Sequence, residues 1–263
     1  MKERLVTGLP LAAAVILLLV YGPAWATWLL LQGGAMIVAD EMWRMTAKEP
    51  LARDRWTAIL VVGGLVALTY WLPEWTERYH LIAVLALLSV VLFSPGDVGP
   101  MGHRAGMLLA TYAYCGILIS ALVAIVRPPF GPLWVLAIFA GVFGGDTGAY
   151  FAGRFLGKTK LYEKISPKKT WAGAFGGVAG SVLGFSLAAS LSGLRVPAPH
   201  VVALGVGISI FEQVGDLAES MFKRAFGVKD SGRLLPGHGG LLDRIDGVLF
   251  AAPFVWIYLT TWA

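Results

Sequence analysis

Five cationic side chains, three carboxylates, one histidine and five glycines fall within Ser220–Asp246, SMFKRAFGVKDSGRLLPGHGGLLDRID. Carboxylates are hard oxygen ligands that suit Mg²⁺, and lysine and arginine suit phosphate oxygens. Glycines let backbone N–H groups come close to an anion. The combination points to chemistry on phosphorylated molecules.

Spacing sharpens this reading. Read as a helix, Val201–Arg224 puts Glu212, Asp216, Glu219, Ser220 and Lys223 on one polar stripe. Acidic groups at membrane depth face a partner or a wet cavity. An ion-paired stripe that only packs helices is the alternative. Asp243 and Asp246, three apart, share a face at the start of the last apolar run. Simple capping is the alternative there, because carboxylates are favoured at a helix N-terminus. Asp216, Asp243 and Asp246 together bring hard oxygens to one point and are the expected metal ligands. Mg²⁺ is the expected cofactor, and a second, monovalent cation stays open. No Cys or His cluster argues for zinc.

Gly237, Gly239 and Gly240 around His238 run directly into that helix. Flanked by Lys223, Arg224, Lys229 and Arg244, they read as a phosphate cradle, with a plain loop as the alternative. The GxxxxGK[ST] order of a P-loop is absent. His238 is either a general base or a phosphate-positioning group. A second basic loop, Ser166–Gly173, carries Lys168 and Lys169, which suit an anionic headgroup, a nucleotide or plain lipid-surface attraction. Asp146 sits among glycines in an apolar run (GVFGGDTGAYFAG), with Tyr150 one turn on. An isolated intramembrane aspartate suggests a functional site.

These residues need a scaffold, and composition says which. Only 14% of the 263 residues are charged, where a soluble domain has about a quarter. Mean hydropathy is +0.71. The chain reads as an all-α, polytopic integral membrane bundle forming one domain. Nine apolar segments are expected to span: approximately Leu5–Val20, Ala24–Ala39, Trp56–Leu72, Leu81–Phe93, Met107–Val126, Leu133–Ala152, Ala172–Leu191, Val201–Leu217 and Gly247–Trp262. The start resembles a signal peptide, but apolar sequence resumes at once, so a retained first helix is expected. Cys115, the one cysteine, lies in an apolar run and reads as a small buried hydrophobe.

With the N-terminus in the cytoplasm, eighteen of the 21 Lys and Arg fall on that side; Arg78, Arg127 and Arg195 do not. This bias follows the positive-inside rule and puts the C-terminus outside and both polar loops inside. The net charge of +5 does not suggest nucleic acid, because the cations cluster in loops between apolar runs.

Ser220, Lys223, Arg224, Lys229, Asp230, Gly232, Leu235, Pro236, His238, Gly239, Gly240, Asp243, Arg244 and Asp246 closely resemble the signature of phosphatidate cytidylyltransferases, also called CDP-diacylglycerol synthases. Ser166–Thr170 and the Asp146 region are also similar to that family, although many members have Trp-Glu-Gly where this chain has Trp171–Ala172–Gly173. The resemblance is strongest from about Gly141 onward. It implies a membrane enzyme of phospholipid synthesis that converts CTP and phosphatidate to CDP-diacylglycerol and pyrophosphate. It also implies Mg²⁺ dependence, a homodimer and an inner-membrane location with the site facing the cytoplasm. Residues 1–140 would then be scaffold with dimer contacts, and residues 141–263 the catalytic part. Asp216, Lys223, Arg224, Lys229, His238, Asp243, Arg244 and Asp246 would be catalytic. Asp146, Ser166, Lys168, Lys169, Thr170, Glu219, Ser220, Asp230, Gly239 and Gly240 would bind substrate. Alternatives are a cytidylyltransferase or kinase acting on a prenyl or ether lipid, or a transporter of a phosphorylated metabolite. Transporters often show paired broken helices in two halves, whereas the polar residues here are confined to the C-terminal half.

Overall fold

The computed structural model describes residues 2–47, 51–234 and 239–262. Among them are nine helical rods, one for each apolar segment of the sequence. These are α1 (Lys2–Tyr21), α2 (Ala24–Thr46), α3 (Ala52–Trp71), α4 (Thr76–Leu92), α5 (Met101–Val126), α6 (Gly131–Leu156), α7 (Trp171–Leu191), α8 (Ala198–Ala225) and α9 (Leu242–Trp262). With its leading turn, α4 runs Pro73–Leu92. This rod and α5 to α9 are each long and apolar enough to cross a membrane. The protein is an all-α polytopic membrane bundle.

Hydropathy marks the apolar part of each rod but not its polar ends. α2 continues past Ala39 to Thr46 and carries Asp40, Glu41 and Arg44 within the helix. α8 continues past Leu217 to Ala225, so the whole acidic stripe and Lys223 and Arg224 lie on one rigid rod. Lys223 and Arg224 fall in its last turn, where cations complement the helix dipole. The polar segment after α6 is not a plain loop. It forms an antiparallel hairpin, β1 (Lys160–Tyr162) with β2 (Ser166–Thr170), in which Lys160 pairs with Thr170 and Tyr162 with Ser166. Thr170 ends the hairpin and caps α7, its hydroxyl accepting the Gly173 N–H at 3.1 Å.

The closest helix pair is α6 with α7, where glycines allow the backbones to touch. A Cβ added to Gly144 would lie 2.5 Å from the Gly180 carbonyl oxygen, and Gly148 meets Gly176 in the same way. Close approach of small residues replaces hydrophobic drive between helices in lipid. α5 carries a π-helical turn, Tyr112–Ile117, which contains the fully buried Cys115. Its thiol faces the Val38 carbonyl at 3.5 Å, so it packs as a small core residue.

Two ion-pair clusters fix the N-terminal helices at their polar ends. Arg104 of α5 donates to both oxygens of Asp54 of α3, at 2.7 and 3.0 Å, and to Ser94 at 2.7 Å. On α2, Asp40 is held by Arg44 and by Arg55 of α3. These arginines therefore have structural partners beyond their part in the charge bias.

Candidate active site

α6, α8 and α9 converge at their polar ends on a cavity of about 350 Å³. Asp146 comes from α6; Glu212, Asp216, Glu219 and Lys223 from α8; Asp243, Arg244 and Asp246 from α9; and Asp230 from the intervening loop. A second cavity of about 400 Å³ adjoins it. Asp146, Glu212 and Asp216 line both, and the second is completed by Tyr150, Arg154, Lys168, Lys169 and Thr170. Two motifs far apart in sequence therefore meet across three shared carboxylates.

The stripe on α8 explains how the site is held. Lys223 reaches across to α9, its Nζ 2.7 Å from Asp243 Oδ1, and also pairs with Glu219 one turn back. Lys169 of β2 pairs with Asp216 at 2.9 Å, and the Ser220 hydroxyl lies 3.3 Å from the other Asp216 oxygen. Asp146 of α6 and Glu212 of α8 both face the two cavities. Glu212 is only 3% exposed and fits because Gly145 and Gly247 leave room beside it.

At the described end of the loop before α9, backbone donors are engaged within the protein. The Gly240 N–H donates to Asp243 Oδ2 at 2.8 Å. The Leu241 and Leu242 N–H groups donate to Glu41 of α2, at 3.0 and 2.8 Å. These backbone donors are thus consumed by protein carboxylates, because the start of α9 needs acceptors for its unpaired N–H groups. Gly239 serves the turn through its positive φ of 81°, a conformation natural to glycine.

The three carboxylates of the expected metal triad all have protein partners, Asp216 through Lys169. Among the described residues, no three His, Cys, Asp or Glu side chains are grouped to hold an ion. Asp243 is committed elsewhere, since one oxygen meets Lys223 and the other accepts the Ser231 N–H, the Ser231 hydroxyl and the Gly240 N–H. Asp246 accepts the Gly247 N–H at 2.8 Å. Even so, the donor set fits a divalent ion that arrives with phosphates. Mg²⁺ needs only one or two carboxylates when substrate and water complete its shell. Asp146, Asp216 and Asp246, one from each of the three helices, offer hard oxygens to the same cavity. Oε2 of Glu212 and Oε1 of Glu219 are buried with no partner among the described residues, and such atoms require a cation or a donor.

The remaining expected residues divide. Lys168 and Lys169 line the second cavity, together with Thr170, which caps α7. Ser166 pairs in the hairpin and lines neither cavity. Arg224 and Lys229 are exposed outside both cavities. His238 lies outside the described residues. Sequence reasoning missed Glu41, although its signal was the acidic pair Asp40–Glu41 in an apolar run. It also missed Ser231, and it noticed Glu212 on the stripe without assigning it to the site.

The model of the "Cytidylyltransferase family" matches residues 2–262. The chain is 44% identical over 183 residues to a phosphatidate cytidylyltransferase of Brucella suis, covering 68% of this chain and 63% of that protein's length. It is 35% identical to a phosphatidate cytidylyltransferase of Staphylococcus epidermidis, covering 98% of this chain and 99% of that protein. It is 36% identical to one of Pseudomonas aeruginosa, covering 96% and 94%. Matches of this extent, over the helices that build the cavity, establish that the chain belongs to the cytidylyltransferase family.

Proposed function

We propose that this protein is a phosphatidate cytidylyltransferase of phospholipid biosynthesis, forming CDP-diacylglycerol and pyrophosphate from CTP and phosphatidate. The observation that carries the reading is the polar cavity itself. It gathers carboxylates and cations from three helices at the polar end of an apolar bundle. A lipid phosphate there meets a nucleotide from the adjoining aqueous phase while its tails stay in the bilayer.

In the reaction, a phosphatidate oxygen attacks the α-phosphorus of CTP. The bond from that phosphorus to the bridging oxygen of the β-phosphate breaks, and pyrophosphate leaves. The nucleophile is already anionic, so the barrier is mainly repulsion between anions and their alignment. A bound Mg²⁺, held by Asp216 and Asp246 with Asp146 beside them, would screen the triphosphate and stabilise the departing charge. Lys168 and Lys169 attract the incoming anions, and Arg244 faces them from α9. Lys223 holds Asp243, and so α9, in place. Arg224 and Lys229, exposed near the end of α8, steer anions by long-range attraction. No general base is required.

The same reading places this site on the cytoplasmic face, the C-terminus outside and the protein in the inner membrane as a homodimer. The test uses purified protein in detergent with phosphatidate, labelled CTP and Mg²⁺. Liponucleotide and pyrophosphate should appear one to one, and excess EDTA should abolish both. Hydrolysis of CTP without liponucleotide would refute the proposal.

A further inference from the structure

Glu41 lies on α2, in the half of the chain far from the catalytic signature. Its side chain is 6% exposed, yet both oxygens are used: Oε1 accepts the Leu241 N–H and Oε2 the Leu242 N–H. Those N–H groups lie at the start of α9, two residues and one residue before Asp243. Two glycines make this approach fit. A Cβ on Gly240 would lie 2.7 Å from Glu41 Oε2, and one on Gly232 would lie 2.8 Å from the Glu41 carboxyl carbon. Two carboxylates therefore pin the entry to α9, Asp243 from within and Glu41 from α2. Asp40, the neighbouring residue, is bound by Arg44 of the same helix and by Arg55 of α3, and the bond to α3 fixes the rotation of α2 and so the aim of Glu41.

We infer that Glu41 is a positioning residue for cytidylyl transfer, holding the Gly240–Leu242 backbone so that Asp243 and Lys223 keep their places. Only a carboxylate suits the task. Glutamine presents one acceptor and an NH₂ group, and that NH₂ faces a backbone donor. A buried donor without an acceptor drives the backbone to move. The loop then loses the bond from Gly240 to Asp243.

The catalytic part rests on the activity proposed above, so the test has a readout that does not. Glu41→Gln should raise amide hydrogen exchange at Leu241 and Leu242 and lower kcat ten- to a hundredfold, the range typical of groups that orient site residues. KM for the lipid should stay within about threefold, since Glu41 lines neither cavity of the site. Glu41→Asp keeps both oxygens on a shorter stem and should lose only three- to tenfold. Val66→Ala, a buried core change on α3, serves as the stability control and should keep kcat while lowering Tm. Unchanged exchange with normal kcat in Glu41→Gln would overturn the proposal, as would an equal loss of kcat in Val66→Ala at a matched fall in Tm. If Glu41→Gln does not fold, Glu41→Asp decides, and wild-type exchange and kcat in that variant refute the role. A wild-type protein without cytidylyl transfer would refute the activity while leaving the exchange result valid.

Discussion

Lys223 on α8 and Asp243 on α9 form an ion pair 2.7 Å long whose side chains are nearly buried. It is a direct polar tie between the helix that carries the acidic stripe and the helix that opens with the last residues of the family signature. Glu219 reinforces it from one turn back on α8. Breaking one partner of a buried pair leaves an uncompensated charge and costs about 3 kcal/mol or more. Asp243→Asn should therefore lower Tm clearly and reduce kcat by ~100-fold or more, as expected when a preorganised polar group is lost. Kinetics on the folded fraction, with Tm measured in the same detergent, check this. Near-normal kcat would show that the pair is structural only.

The second tie joins Lys169 of the hairpin to Asp216 of α8. It sits where the two cavities share a wall, so losing it should disturb substrate binding more than folding. Lys169→Ala should lower kcat/KM for CTP or the lipid about tenfold or more. Lys158→Ala, exposed and outside both cavities, should change it less than twofold. Steady-state kinetics of the two variants provide the comparison, and equal effects would favour a general surface-charge role.

The contact between α6 and α7 makes a prediction about stability alone. Gly180 meets the backbone of α6 at Gly144 and Gly148. Gly180→Val should force the helices apart and destabilise by about 1–3 kcal/mol. A lowered Tm and poor behaviour in detergent should result, whereas Gly99→Ser, in a turn with open space and no positive φ, should be milder. Differential thermal unfolding checks it.

Much of this architecture was legible in the sequence because hydropathy is a signal carried by each segment. All nine apolar runs became helices, and the Glu212–Lys223 spacing correctly put one polar face on α8. Three things were not legible, each for a physical reason. The polar ends of α2 and α8 are helical but not apolar, so a hydropathy window stopped early. The loop donors were read as free because sequence cannot show that Glu41, about 200 residues upstream, accepts them. The bonds of Asp243 to Lys223 and Ser231 were hidden too, because spacing places a carboxylate on a helix face without showing which groups it meets.

Topology supplies a fourth prediction. The charge bias puts Lys168 and Lys229 at the cytoplasmic face. Both are exposed, and Cys115 is buried, so single cysteines at 168 and 229 in a Cys115→Ala background suit accessibility labelling. Gly239 is a poorer site because its positive φ would strain a cysteine. A membrane-impermeant thiol reagent should label both positions only when it has access to the cytoplasmic side. Labelling only from outside would reverse the orientation and separate the site from its nucleotide.

The measurement that tests the central claim most directly compares two lipids. Phosphatidate and diacylglycerol are presented in the same mixed micelles with CTP and Mg²⁺, and pyrophosphate release is followed. Phosphatidate carries the anionic nucleophile, while diacylglycerol would need its hydroxyl activated. The site as described predicts pyrophosphate and CDP-diacylglycerol from phosphatidate and none from diacylglycerol. Product from diacylglycerol and none from phosphatidate would contradict it and identify a lipid kinase or another transferase instead.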